Sequence, residues 1–240
     1  MFGLFNGSNT DIMDDIEAVL RPMAGMAIAK KFALHDIVGD VETWQADLES
    51  AVLLLDETGF RDIQIIGTYA FDDGTWLWAW GNQGSDFAEN IVRDSFALQR
   101  YGKENGIVWL TKRTFELEQD DVEAVAAVAV AVGIAQADGY YLAFHDAGIA
   151  VFALRDPRLK QTLAAENPAC ATVVIPEMVA TFVLYQQHEA VAEYLRQAGY
   201  QIEQSENGKH IGITAQRNGS VLKADFEDGF FRDLSARLQE

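Results

Sequence analysis

The residues of this chain best suited to metal or covalent chemistry are four histidines and one cysteine, and their spacing supports neither. His35, His145, His188 and His210 fall on four different predicted elements. A zinc site of the His-Glu-x-x-His type needs a second imidazole one turn along the same helix face. After His188-Glu189 that position holds Ala192, so no metal site is expected. Cys170 has no histidine near it in sequence and reads as a small buried hydrophobe. As the single cysteine it excludes an internal disulfide and fits a reducing compartment. No Gly-x-Ser-x-Gly elbow, phosphate loop or Gly-x-Gly-x-x-Gly fingerprint occurs, and Gly84-Ser85 reads as a loop leading into a helix. Asp72-Asp73, beside Gly74, is a turn rather than an acid/base pair. Lys30-Lys31 and Lys112-Arg113 are short cationic pairs on an acidic chain and read as solvated surface. No catalytic residue, metal or cofactor follows, and the reading leans away from an enzyme.

The tryptophans are more informative. Thr75-Trp76-Leu77-Trp78-Ala79-Trp80-Gly81-Asn82 puts three of the five tryptophans at alternate positions. A strand points alternate side chains to one face, so Trp76, Trp78 and Trp80 are expected to share it. Asp73-Gly74 supplies a turn before the strand, because glycine tolerates positive φ. Such a face can be a core. It can also be the aromatic floor of a ligand pocket, with Asn82 as polar handle. Trp76, Trp78, Trp80 and Asn82 are therefore the candidate ligand-binding residues.

Gly67-Thr68-Tyr69, the Asp72-Asp73-Gly74 turn and the tryptophan run together resemble the signature of an uncharacterised bacterial domain family of unknown function. The resemblance is tight over residues 60–82 and looser over the flanking elements. It implies no activity, substrate or catalytic residue.

Charge narrows the partners. The formal net charge is −19. Residues 1–155 hold 10 basic and 25 acidic side chains, a net of −15, and the remainder 8 and 12, a net of −4. Such a surface repels phosphate backbones and anionic lipid, so neither nucleic-acid nor membrane binding is expected. The longest apolar run, Ala124 to Ala135, falls short of the ~20 residues of a membrane helix. Residues 1–15 lack a basic leader region and do not read as a secretory signal. The expectation is a cytoplasmic, non-catalytic acidic protein that binds a basic protein, in its specific form an immunity-type protein neutralising a basic toxin. The alternative is a small-molecule-binding protein or enzyme with a pocket lined by the Trp-rich strand.

The fold class expected is α+β, with antiparallel β-meanders and helices packed on one face. Helical spacing marks Asp11 to about Leu34, with a kink at Pro22, and strands follow from Val41 to Asn82 as one meander with a turn at Glu57-Thr58-Gly59. Asp86-Phe87-Ala88-Glu89 has capping-box spacing for a helix that stops before Gly102. Ile107 to Phe115 reads as a strand, Asp120-Asp121 open an Ala/Val-rich helix ending near Gly133, and residues 140–154 form a hairpin. Pro157 to Ala165 is a short helix. Pro176 opens a long helix closed by Gly199. Three strands follow, over residues 200–204, 210–216 and 221–226, joined by type I′ turns at Asn207-Gly208 and Asn218-Gly219. Two parts are expected: residues 1–155, a helix plus the sheet with the Trp-rich strand, and residues 156–240, a helix plus a three-stranded meander. No linker separates them.

Overall fold

The computed structural model describes residues 16–85, 87–117, 121–164 and 168–239. The expectations resting on Asp11, Asp86 and Asp120 lie outside these residues. Within them the fold is α+β, with three antiparallel sheets.

Helix α1, described over residues 16–20, breaks at a turn over residues 21–23 and resumes as α2, Ala24–Val38. The break falls at Pro22, whose ring cannot donate to the helix ladder. Strands β1 (Trp44–Asp47), β2 (Val52–Leu55) and β3 (Thr58–Arg61) form a small meander. The meander expected to continue to Asn82 stops there. Its β2–β3 turn is Asp56-Glu57, one residue earlier than expected. Strands β4 (Gln64–Ala70) and β5 (Thr75–Trp78) belong instead to a five-stranded sheet ordered β6-β5-β4-β8-β7. Its other strands are β6 (Thr114–Glu116), β7 (Gly139–His145) and β8 (Gly148–Leu154). The β4–β8 pairing, a bulge at Ile65/Gly67 included, is nonlocal, which strand periodicity cannot specify.

Helix α3 runs from Glu89 to Asn105 and passes through Gly102. It ends at Gly106, which is left-handed at φ 71°. Residues expected as one strand then form a short helix, α4 (Val108–Thr111), before β6. Helix α5 (Asp121–Ile134) is the Ala/Val-rich element, and α6 spans Pro157–Ala164. The long helix expected from Pro176 is two helices, α7 (Cys170–Thr181) and α8 (Gln187–Gln197). Pro176 sits inside α7. The break comes at residues 182–186, where buried Phe182 and Leu184 alternate with exposed Val183 and Tyr185 as in an extended chain. Cys170 is half-buried rather than buried.

The last sheet is a four-stranded meander, β12-β11-β10-β9, one strand longer than expected. It comprises Gln201–Asn207, His210–Arg217, Ser220–Glu227 and Phe230–Arg237. Asn218 and Gly219 both have positive φ, as a type I′ turn requires. The first turn is instead Gly208-Lys209, with positive φ at Gly208 alone, the pattern of a type II′ turn. One buried apolar cluster joins Trp76 and Trp78 to α5, α7, α8, Ile213 and Phe226, and so spans residues on both sides of Arg155.

Candidate functional site

Trp76 and Trp78 lie on one face of β5, as the period of two requires, and both are 0% exposed. Gly67 makes this possible. A side chain there would lie 2.7 Å from the Leu77 carbonyl oxygen and 3.1 Å from the Trp76 ring. Gly74, at φ 66°, brings the turn equally close to the Leu117 carbonyl. Trp76 meets Trp78 edge-on at 5.1 Å between ring centroids, Trp78 stacks on Trp109 at 5.9 Å, and Phe115 touches all three. Trp109 and Phe115 were not foreseen, because α4 and β6 are distant from β5 in sequence.

Trp80 leaves this face. The strand ends at Trp78, and Ala79–Gly81 form a 3₁₀ turn, so the alternation stops one residue too soon. The turn is held by Trp80 N–H donating to Ser95 Oγ at 3.1 Å, while Ser95 Oγ donates to the Ile66 carbonyl at 3.0 Å. Trp80 is half-buried. Asn82 Oδ1 accepts from Gly84 N–H at 3.2 Å in a loop turn. The structure therefore brings Trp76 and Trp78 together with Trp109, sets Trp80 beside α3 and leaves Asn82 in the loop that follows.

Below this cluster a polar clamp ties β4 to α3 and α5. Gln64 is buried, donating to the Asn90 carbonyl at 2.7 Å and accepting from Asp94 N–H. The Asp94 carboxylate pairs with Arg155, which also donates to the Ala135 carbonyl at 2.6 Å. Asp138 accepts from Asp156 N–H at 3.1 Å and lies 3.7 Å from Lys160. Each charge here has an opposite partner, the arrangement buried ionic groups need.

The two lysines expected at the surface differ. Lys31 is exposed and pairs with Glu177 at 3.0 Å. Lys30 is half-buried. Burial lowers its pKa, nearby Asp138 opposes that, and Arg155 adds to it. Sequence offered no signal for this difference, because burial of Lys30 depends on α5 packing against α2.

A second feature is electrostatic. Residues 40–62, which span β1–β3, carry seven carboxylates and one arginine, Arg61. On the outer face Gln45, Leu54 and Gly59 stand in one cross-strand row, with Asp47, Val52 and Arg61 in the row beyond the next. Leu54 is 39% exposed. Asp56 accepts from Thr43 N–H at 2.8 Å and from Glu42 N–H, and Asp47 accepts from Glu49 and Ser50 N–H. These bonds hold both carboxyls below their ordinary pKa. Glu42, Glu49 and Glu57 remain as exposed charge. Nearby, Phe144 is 59% exposed, and its carbonyl accepts from Trp44 Nε1.

The model of a family of unknown function, DUF6882, matches residues 17–157, more than half of the chain. The chain belongs to that family. Its span takes in the tryptophan cluster, the acidic sheet and Lys30, and stops before the four-stranded sheet. No curated protein and no solved structure matches the chain. Among the described residues, no helix is long and apolar enough to cross a membrane.

Proposed function

We propose that this is a non-catalytic cytoplasmic binding protein that takes a basic protein on the outer face of the β1–β3 sheet. One observation carries the reading: an exposed leucine, Leu54, lies on a small sheet whose residues 40–62 carry seven carboxylates and one arginine, with Arg158 held at the Gly59 carbonyl on its edge. An apolar centre inside a charged rim is the usual anatomy of a specific interface, and the rim charge selects the sign of the partner. Neutralisation of a basic toxin, the immunity-type role, is the specific form of this reading. The division into residues 1–155 and 156–240 fits it, because the acidic excess lies in the first part.

Capture of partners from the source cells at low and high salt tests it, using the wild type and a Glu42→Gln/Glu49→Gln/Glu57→Gln variant. A basic protein should bind the wild type, release steeply as salt rises, and be lost by the variant without a change in melting temperature. Failure to recover a basic protein at low salt refutes the reading, as does equal binding by the variant.

The small-molecule reading now centres on Trp80 and Asn82, because Trp76 and Trp78 have no exposed surface. Loss of a ligand's thermal shift in Trp80→Ala would favour it.

A further inference from the structure

Between α2, α5 and α8 lies a cleft of about 270 Å³. Met23, Met26, Ala27 and Lys30 recur at helical spacing and line it from one side. From the other side come Ala129, Val132 and Gly133 of α5. Gly133 touches the Met23 side chain, and a Cβ added there would come within 2.8 Å of Met23 Cγ. The two helices therefore meet closely at Gly133. Methionine walls adapt to ligand shape because the thioether chain is unbranched and polarisable.

Lys30 is the one charged residue of the lining. Its ammonium makes no hydrogen bond or ion pair among the described residues. The Asp138 charge nearby offsets only part of the cost of withdrawing this ammonium from water, and an anion placed directly against it would offset more. Of the rest of the lining only Gln197 carries a polar side-chain group, and its amide already donates to the Pro22 carbonyl at 2.8 Å and to Glu193 at 3.0 Å. At ~30 Å³ per water-sized atom, the cleft has room for roughly nine such atoms.

We propose that this cleft binds a small carboxylate with a short apolar tail, its head group on Lys30 Nζ and its tail along Met23 and Met26. The site is independent of the acidic sheet and stands whether or not a protein partner binds there. Burial lowers the lysine's pKa, and a bound carboxylate would raise it again.

The test is titration of the full chain with butyrate, hexanoate and octanoate at neutral pH, followed by methyl NMR of the methionines and by calorimetry. Hexanol serves as the uncharged control. The Met23 and Met26 methyl signals should shift saturably with hexanoate in the wild type and in Lys31→Met. Lys30→Met should bind roughly tenfold or more weakly, as should hexanol to the wild type, because a charge-assisted hydrogen bond is lost. Lys30→Gln gives a second, polar replacement if the methionine variant fails to fold. Equal affinity in a folded Lys30 variant overturns the proposal. So does the absence of saturable binding by all three carboxylates, or a response that bypasses the Met23 and Met26 methyls.

Discussion

Trp78 stacks on Trp109 with ring centroids 5.9 Å apart and planes 29° apart, and its Nε1 donates to the Trp109 backbone carbonyl at 3.2 Å. One side chain thereby serves two purposes. Its ring fills the space between β5 and α4, and its N–H satisfies a carbonyl in a four-residue helix. Aromatic pairs of this kind add about 0.5–1.5 kcal/mol beyond the burial itself.

Trp78→Ala should therefore lose roughly 3–5 kcal/mol of stability, from the void left beside three aromatic rings. Trp78→Phe should lose less, but it leaves the Trp109 carbonyl without its indole donor. Urea denaturation measures both. A loss below ~1 kcal/mol for the alanine variant would be incompatible with a fully buried ring.

The glycines rank differently from their order by sequence. As a helix-ending residue, Gly102 would tolerate alanine better than the turn residue Gly219 would tolerate valine. In the structure Gly102 lies within α3, and a Cβ there would sit 2.6 Å from Leu110 Cβ and 3.0 Å from the Ile107 carbonyl oxygen. Gly102→Ala should cost about 1–3 kcal/mol by overpacking. That matches or exceeds the cost of Gly219→Val, where φ is 79° but the nearest group is the flexible end of Gln239. Gly106→Ala, at φ 71° in open space, should cost only about 1 kcal/mol. Melting curves of the three variants give the order.

Arg155→Met should destabilise by roughly 1.5–3 kcal/mol, because it leaves the Asp94 carboxylate with only the more distant Arg93, at 3.8 Å. The Asp94 side chain is 7% exposed and that of Arg155 32%. Adding Asp94→Leu should restore much of the loss. A double-mutant cycle that shows simple additivity would mean the two charges do not interact.

Acid should unpick the small sheet through Asp56. Its carboxyl is held low first by the Thr43 N–H, then by the Glu42 N–H. A folded-state pKa below the unfolded value gives stability that is present above the ordinary carboxylate range and lost as pH falls through the folded pKa. The wild type should melt above Asp56→Asn at neutral pH, and the gap should close below about pH 4. A gap independent of pH would mean that the carboxylate charge is not its source. The left-handed backbone at φ 48° would not explain it either, because asparagine tolerates that region as well as aspartate does.

Much of the local structure was legible in the sequence. The period-two spacing placed Trp76 and Trp78 on one buried face. Asn218-Gly219 specified its own turn through the positive φ that both residues tolerate, and Pro22 broke the first helix. These are short-range effects, carried by backbone preference and by which face of an element is apolar. The partners of those faces were settled by packing between distant segments. Trp109 joins Trp78 only because Gly102 lets α3 and α4 close together. The β1–β3 sheet separates from β4–β5 because β4 pairs with β8, 78 residues away in sequence at Ala70↔Gly148 and farther elsewhere along the strand. The last strand, Phe230–Arg237, carries no clear signal in the sequence because it is an edge with mostly exposed side chains and little alternation. Lys30 and Lys31 are the sharpest case. Adjacent and chemically identical, they differ in burial because one faces α5 and the other solvent, a difference that exists only once the helices have packed.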